Sequence, residues 1–262
     1  MPVYEQRDQP DGVPPLALTG ERTLPDVPEE NYWFRRHLAV YEWIAERVRG
    51  MRVLDMACGE GYGSDVLARA ATSVVGVDAN PQAHEHARLR YRRANLSFER
   101  DLVETFTHAA DAVVFLQTIE HVSNPGAVLE HLRSLVGGTQ PGGLGRGVVF
   151  VSTPNVLTLA PAGAPRSDNP WHVHEYRAEE FQALCQAYFG TVEMHGLLHA
   201  RKLRVHEHAL RLGWDALHVR LRLTRRFYDW FTPAIAASDF ALHAASYTEL
   251  DRALDLLAVC RP

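Results

Sequence analysis

Arg52-Val-Leu-Asp-Met-Ala-Cys-Gly-Glu-Gly-Tyr-Gly63 is the stretch whose reading decides the architecture. A short apolar run, Arg52 to Asp55, breaks into a loop with glycines at 59, 61 and 63, after which Val66, Leu67 and Ala70 recur at helical spacing. Strand, glycine-rich turn and helix follow in that order. Upstream, Leu38, Tyr41, Ile44, Ala45 and Val48 mark a helix that stops at Gly50. Downstream, Ser73 to Asp78 reads as a buried strand closing on an acid, and Asn80-Pro81 supplies an N-cap with proline at the first helical position for a helix to about Arg93. Further strands are read at Leu96 to Arg100, Ala112 to Gln117 and Val148 to Ser152, with a helix after Asn124-Pro125 bearing Leu129, Leu132 and Leu135. A glycine-rich connector, Gly137 to Gly147, precedes the fifth strand, and an irregular proline-rich stretch, Pro154 to Pro170, follows it. Arg177 to Tyr188 is read as helix, Thr191 to Leu197 as a sixth strand and Leu254 to Cys260 as the last.

Strands alternating with helices imply a parallel sheet. The expected fold is α/β: a Rossmann-like, seven-stranded, mostly parallel sheet with helices on both faces and a helical cap inserted before the last strand. Four segments result: a flexible or surface-draped lead at 1–34, rich in Pro, Asp and Glu; the core at 35–197; the cap at 198–250; and the final strand at 251–262.

The 262 residues are 46% hydrophobic and 23% charged, which excludes collagen-like, fibrous and disordered classes. A net charge of −5 argues, for the molecule as a whole, against a nucleic-acid or anionic-membrane binder, although local fields can differ. The charge is unevenly spread: Arg201 to Arg226 holds eight basic residues against Glu207 and Asp215, so that segment is +6 and the remainder −11. Three cysteines, Cys58, Cys185 and Cys260, form no C-x-x-C pair and fit a reducing cytoplasm better than a disulfide or zinc scaffold. Met1 to Thr19 lacks an apolar signal core, and no run of about 18 apolar residues occurs, so the expectation is a cytoplasmic chain that spans no membrane.

In an open parallel sheet, ligands bind beyond the carboxyl ends of the strands at the switch point, where the loop after the first strand lies. The spacing G-x-G-x-G, with Ser64 where a dinucleotide fingerprint needs glycine, disfavours a pyrophosphate cradle, and no G-K-[ST] follows. Asp55 points to a ligand with positive charge, and Asp78 suits a ribose diol. With Asp101 at the third strand end, Val53 to Gly63 resembles the cofactor site of class I S-adenosylmethionine-dependent methyltransferases, over roughly residues 50–200. The resemblance implies S-adenosylmethionine as cofactor. Asp55 and the loop at Ala57, Cys58, Gly59, Gly61 and Tyr62 would surround its methionine moiety; Asp78 and Ala79 its ribose; Asp101 and Leu102 its adenine; with Gln117 closing the site. That family usually has glycine where Ala57 stands, and alanine is relaxed there only at φ below zero. Cys58 reads as a small buried residue and not as a nucleophile.

An alcohol acceptor needs its proton removed, and histidine is the usual base. His121, just past the fourth strand in Gln117-Thr-Ile-Glu-His121, is the first candidate; His172 and His174 in Trp171-His-Val-His-Glu175 are the next. Glu120, His121, His172 and His174 could together hold a divalent cation such as Mg2+. The absence of [DN]-P-P-[YF] and of a paired-glutamate loop argues against methylation of DNA bases and of arginine. A sugar or saccharide hydroxyl is the favoured acceptor, with a phenolic or polyketide hydroxyl as the first rival. A cofactor-binding scaffold without turnover is the rival of another class. Tyr32, Trp33, Arg36 and His37 either contact a sugar or pack as a helix start, and Asn155 and Trp171 complete the acceptor set. Glu21-Arg-Thr with Tyr32-Trp-Phe-Arg-Arg-His37 resembles actinobacterial methyltransferases that include enzymes of methylated glucose polysaccharides. The basic insertion reads as a substrate cap, a solvated helix face, an interfacial membrane helix or a homodimer contact.

Overall fold

Val53, Leu54, Val113, Val114, Val149 and Phe150 are each 2% exposed or less, the mark of strands covered on both faces. Successive residues of these strands feed opposite faces, so Val53, Val114 and Phe150 join one apolar cluster while Leu54, Val113 and Val149 join another. The computed structural model describes residues 4–20, 22–136, 147–161 and 163–262. Most of the expected connector, residues 137–146, lies outside the described residues, as do Glu21 of the Glu21-Arg-Thr motif and Ala162 of the proline-rich stretch.

The first half runs α1 (Asn31–Ala45), β1 (Arg52–Met56), α2 (Tyr62–Leu67), β2 (Ser73–Val77), α3 (Pro81–Arg90), β3 (Leu96–Glu99), β4 (Ala112–Leu116) and α4 (Pro125–Val136). The second runs β5 (Val148–Pro154), α5 (Val156–Leu159), α6 (Ala178–Gln186), β6 (Thr191–His199), α7 (Arg201–Arg211), α8 (Trp214–Arg220), α9 (Thr224–Phe231), β7 (Phe240–Ala244) and β8 (Asp255–Arg261). Sheet order is β3-β2-β1-β4-β5-β8-β6-β7. Strands β1 to β5 pair in parallel, whereas β8 runs antiparallel between β5 and β6. The chain moves outward from β1 to β3 and returns to β4, so the loops after β1 and β4 meet at the switch point.

The fold class is as expected, but the sheet has eight strands and not seven. The additional strand, β7, lies within 198–250 and pairs antiparallel with the edge of β6. Phe240-Ala-Leu-His-Ala244 lacks an alternating pattern, and its place is fixed by backbone bonding to β6. After α9 the cap segment continues as short 3-10 turns on either side of β7 and not as further α-helix.

The lead is draped and tied, not loose. Glu5 bridges Ala17, His86 Nδ1 bonds the Pro14 carbonyl at 2.7 Å, and Leu24 and Val27 are buried. The helix marked by Leu38 to Val48 begins at Asn31, inside the segment expected as lead, and the Asn31 side-chain amide donates to the carbonyls of Thr232 and Ile235.

Candidate functional site

Three left-handed residues shape the loop after β1: Ala57 at φ +58°, Gly59 at +57° and Gly61 at +98°. Ala57 thus takes the conformation that the sequence reading required it to avoid, at the cost of strain between its Cβ and the following carbonyl. Gly61 is needed for packing, since a Cβ there would sit 2.8 Å from the Ala87 Cβ. It does not line the cavity, which corrects its expected place against the cofactor.

Asp55 is corrected in the same way. Its carboxyl is fully buried, accepting from Ser64 Oγ at 2.6 Å and Tyr41 Oη at 3.1 Å, and it does not reach the cavity. Burial pushes this carboxyl up to about 7 despite those two donors. Asp55 therefore fixes α1 and α2 around the loop instead of facing a ligand. Burial likewise raises the Cys58 thiol, in keeping with an inert packing residue.

Sequence reasoning missed Glu60. Its side chain is buried and accepts from Gln6 Nε2 at 3.0 Å, Tyr91 Oη at 2.8 Å and the Tyr62 N–H at 3.1 Å, with His86 Nε2 at 2.9 Å and Arg90 beside it. This hub ties lead, glycine loop and α3 together. The only local signal was an acid inside a glycine loop.

A cavity of about 510 Å³ opens beyond the carboxyl ends of β1, β2 and β4, within the range of small-molecule sites. The loop presents Ala57, Cys58, Gly59 and Tyr62 to it; Asp78 and Ala79 follow β2, Asp101 and Leu102 follow β3, and Gln117 follows β4. The Gly59 N–H donates to Asp78 Oδ2 at 2.8 Å and the Asn80 N–H to Oδ1 at 2.9 Å, so the carboxylate is held in one orientation. Thr105 Oγ1 and the Leu102 N–H hold Asp101 and keep it below the usual carboxylate range. Gln117, at φ +50°, donates through its N–H to the Ser152 carbonyl. An adenosyl sulfonium fits this set: two fixed carboxylates for hydroxyl and amino donors, no cradle of phosphate-binding amides, and room for a nucleoside. His37 also lines the cavity, with Nδ1 3.2 Å from Thr23 Oγ1, and burial lowers its imidazole to about 4, leaving it neutral at pH 7.

At the rim beyond β4, Nδ1 of His121 is 2.8 Å from the Trp171 carbonyl, and the rings of His121 and His172 meet edge to face at 5.0 Å. Both His121 and Trp171 line the cavity. The Glu120 carbonyl accepts from the Val173 and His174 N–H groups, which seats the 171–174 segment against the end of β4. Glu120, His121 and His172 each offer a ligand atom within 4.8 Å of the others. The Glu120 carboxyl is pushed up to about 8 by burial, and its Oε2 is buried without a hydrogen-bond partner. The Thr153 hydroxyl faces the same carboxyl, and either the proton that the raised value retains at neutral pH or a cation would occupy such an oxygen. His172 lies between Glu175, 2.7 Å from Nδ1, and Asn169, 3.0 Å from Nε2.

The other candidates fall elsewhere. His174 turns outward to Glu180 at 2.6 Å, away from both the cavity and the ligand cluster. Arg36 forms a buried pair with Asp255, Nε to Oδ2 at 2.7 Å, and Trp33 packs over its guanidinium. Tyr32 reaches His199 Nε2 at 2.8 Å and packs on Phe240. Asn155 is fully buried, donating to the carbonyls of Leu250, Asp251 and Ala253. These four hold α1 and the chain before β8 to the sheet and do not line the cavity. No residue of 201–231 lines it either, so the expected substrate cap is not seated over the site.

A family model described as a methyltransferase domain matches residues 30–208. A probable S-adenosylmethionine-dependent methyltransferase of Mycobacterium tuberculosis H37Rv is 35% identical over 254 residues, 93% of this chain and 89% of that protein. A ubiquinone biosynthesis O-methyltransferase of Cereibacter sphaeroides is 28% identical over 162 residues, 57% of this chain and 64% of that one. Among solved structures, an S-adenosylmethionine-dependent methyltransferase of Thermotoga maritima superposes with a TM-score of 0.57 at 13% identity, covering 89% of this chain and 94% of the other.

Proposed function

The chain belongs to the S-adenosylmethionine-dependent methyltransferases, and from that premise we propose that it methylates a hydroxyl of a sugar or saccharide acceptor. The observation that carries the reading is His121 at the rim of the cavity lined by Asp78 and Asp101, with the exposed Trp171 indole beside it as a stacking face for a sugar ring. With the Trp171 carbonyl accepting, Nδ1 of His121 carries its hydrogen and Nε2 is the basic nitrogen. When bound, S-adenosylmethionine supplies an electrophilic methyl that the acceptor oxygen takes in line, the bonding pair returning to sulfur. The protein's own tasks are to hold the ribose at Asp78, to align the acceptor on Trp171 and to receive its proton at His121 Nε2. Three buried free thiols fit the cytoplasmic setting proposed for this reaction.

Glu120 favours a second reading of the proton step. Its buried, unpartnered Oε2 beside two imidazoles suits a divalent cation held by Glu120, His121 and His172, and that donor set suits a transition metal better than Mg2+. Such a cation would acidify the acceptor hydroxyl. The likeness to a ubiquinone biosynthesis O-methyltransferase supports transfer to oxygen, and a phenolic hydroxyl stays the alternative acceptor.

Methyl transfer to a panel of saccharides and phenols tests the acceptor class, and turnover with phenols alone would remove the sugar reading. His121→Ala should lower kcat by about 100-fold or more. His172→Ala decides the proton step: near-normal turnover in chelator supports a histidine base, whereas loss of turnover restored by added Mn2+ supports the cation.

A further inference from the structure

The helices α7 to α9 stand outside the cavity and carry a second kind of surface. Their inner side is a closed aromatic packing, with the His206 and His218 rings stacked on Phe227 and with Phe231 against both His206 and Phe227. Leu203 and Phe231 join the apolar cluster that covers one face of the sheet, with Phe227 and Tyr228 packed against it, so the inner side of the unit is anchored to the core and the exposed apolar side chains on its outer side are surplus to that packing. Seven of the thirteen large hydrophobics exposed among the described residues lie within 205–230, which concentrates them in this one unit. Leu212 is 85% exposed and Trp230 69%, with Leu217, Val219, Leu221 and Leu223 between them. Cations are interleaved with them. Arg204, Arg220, Arg222 and Arg226 are exposed and form no ion pair among the described residues.

We propose that α7 to α9 form a docking surface for an anionic lipid bilayer, with the leucines and Trp230 entering the headgroup region and the arginines pairing with lipid phosphates. Charge complementarity selects this occupant. The segment 201–226 is +6 on a chain whose remainder is −11, so an anionic surface attracts this side and repels the rest, which fixes orientation. A second copy docking through the same patch would set +5 against +5 once Asp229 of α9 is counted, because a two-fold interface pairs like surfaces. A nucleic acid would use the arginines but leave the leucines in water. With seven residues in α8 and eight in α9, these helices are too short to cross a bilayer and are suited to lie on one. No helix among the described residues is long and apolar enough to span a membrane.

The test is sedimentation of the full-length protein with vesicles of phosphatidylcholine alone or with about a quarter phosphatidylglycerol. Binding is expected only to the anionic vesicles and should weaken as salt rises from about 0.1 to 0.5 M. Replacing Arg222 and Arg226 by alanine together should reduce binding about 25-fold, near five-fold for each arginine. Leu221→Asp with Leu223→Asp should abolish it. Cofactor calorimetry on each variant checks folding, since none of these residues lines the cavity. Equal binding to both vesicle types, binding to neither, or undiminished binding by a folded leucine variant would overturn the proposal. Binding to neither would leave the surface to an acidic protein partner.

Discussion

At Ala57 the backbone adopts φ +58°, a conformation that costs an L-residue about 1–2 kcal/mol. Glycine would remove that strain and add about 0.5–1 kcal/mol of chain entropy to the unfolded state. Ala57→Gly should therefore gain about 0.5–1 kcal/mol, read by calorimetry as a Tm raised by about 1–3 °C; an unchanged or lower Tm would mean that the loop is not strained. Asp55 gives a pH signature. Burial holds its carboxyl at about 7, far above its usual value, so the folded state binds more protons than the unfolded one, and stability falls as pH rises through 7. Glu120, at about 8, contributes with the same sign, whereas His37, lowered to about 4, acts oppositely and only below its usual value near 6.5. In chelator, the urea midpoint should thus decrease from pH 6.5 to 8, and Asp55→Asn should shrink that decrease. That Asp78 and Asp101 would line a cavity was legible because each stands just past the end of its strand, in the loop that the sheet points at the switch point, whereas Asp55 still lies within β1. The roles of Asp55 and Glu60 were not legible, since their partners Tyr41, Gln6 and His86 come from other segments.

Elements show the same division. Strands β1, β2, β4 and β5 announced themselves by apolar runs, and α3 by its cap at Asn80, whose side chain accepts from the Gln82 and Ala83 N–H groups. What sequence could not give was the pairing of α1 with β8. Arg36 and Asp255 are 219 residues apart and meet in a buried bidentate pair, so an arginine read as a sugar ligand is a structural clasp. Arg36→Ala should leave Asp255 buried without its partner and cost about 3–5 kcal/mol. A melting experiment should show the Tm falling by on the order of 10 °C. An acceptor KM that rises with the Tm unchanged would restore the substrate role. Strand β7 escaped notice for a related reason: an edge strand bonded through its backbone to β6 needs little of the alternation by which a strand is recognised.

Across the whole molecule, the sheet order places the ends of β1, β2 and β4 around one cavity, while the surplus charge and apolar surface gather on α7 to α9, outside it. Catalysis and attachment are thus assigned to separate regions, and a defect in one should leave the other intact. Methyl transfer here depends first on the cavity after β1 seating an adenosyl sulfonium through Asp78. Isothermal titration with S-adenosylhomocysteine measures this directly. The prediction is a saturable one-to-one heat that Asp78→Asn weakens by about ten-fold, the loss expected when a charged hydrogen-bond acceptor becomes neutral. Absence of heat with either the demethylated product or S-adenosylmethionine, in protein that melts cooperatively, would contradict it.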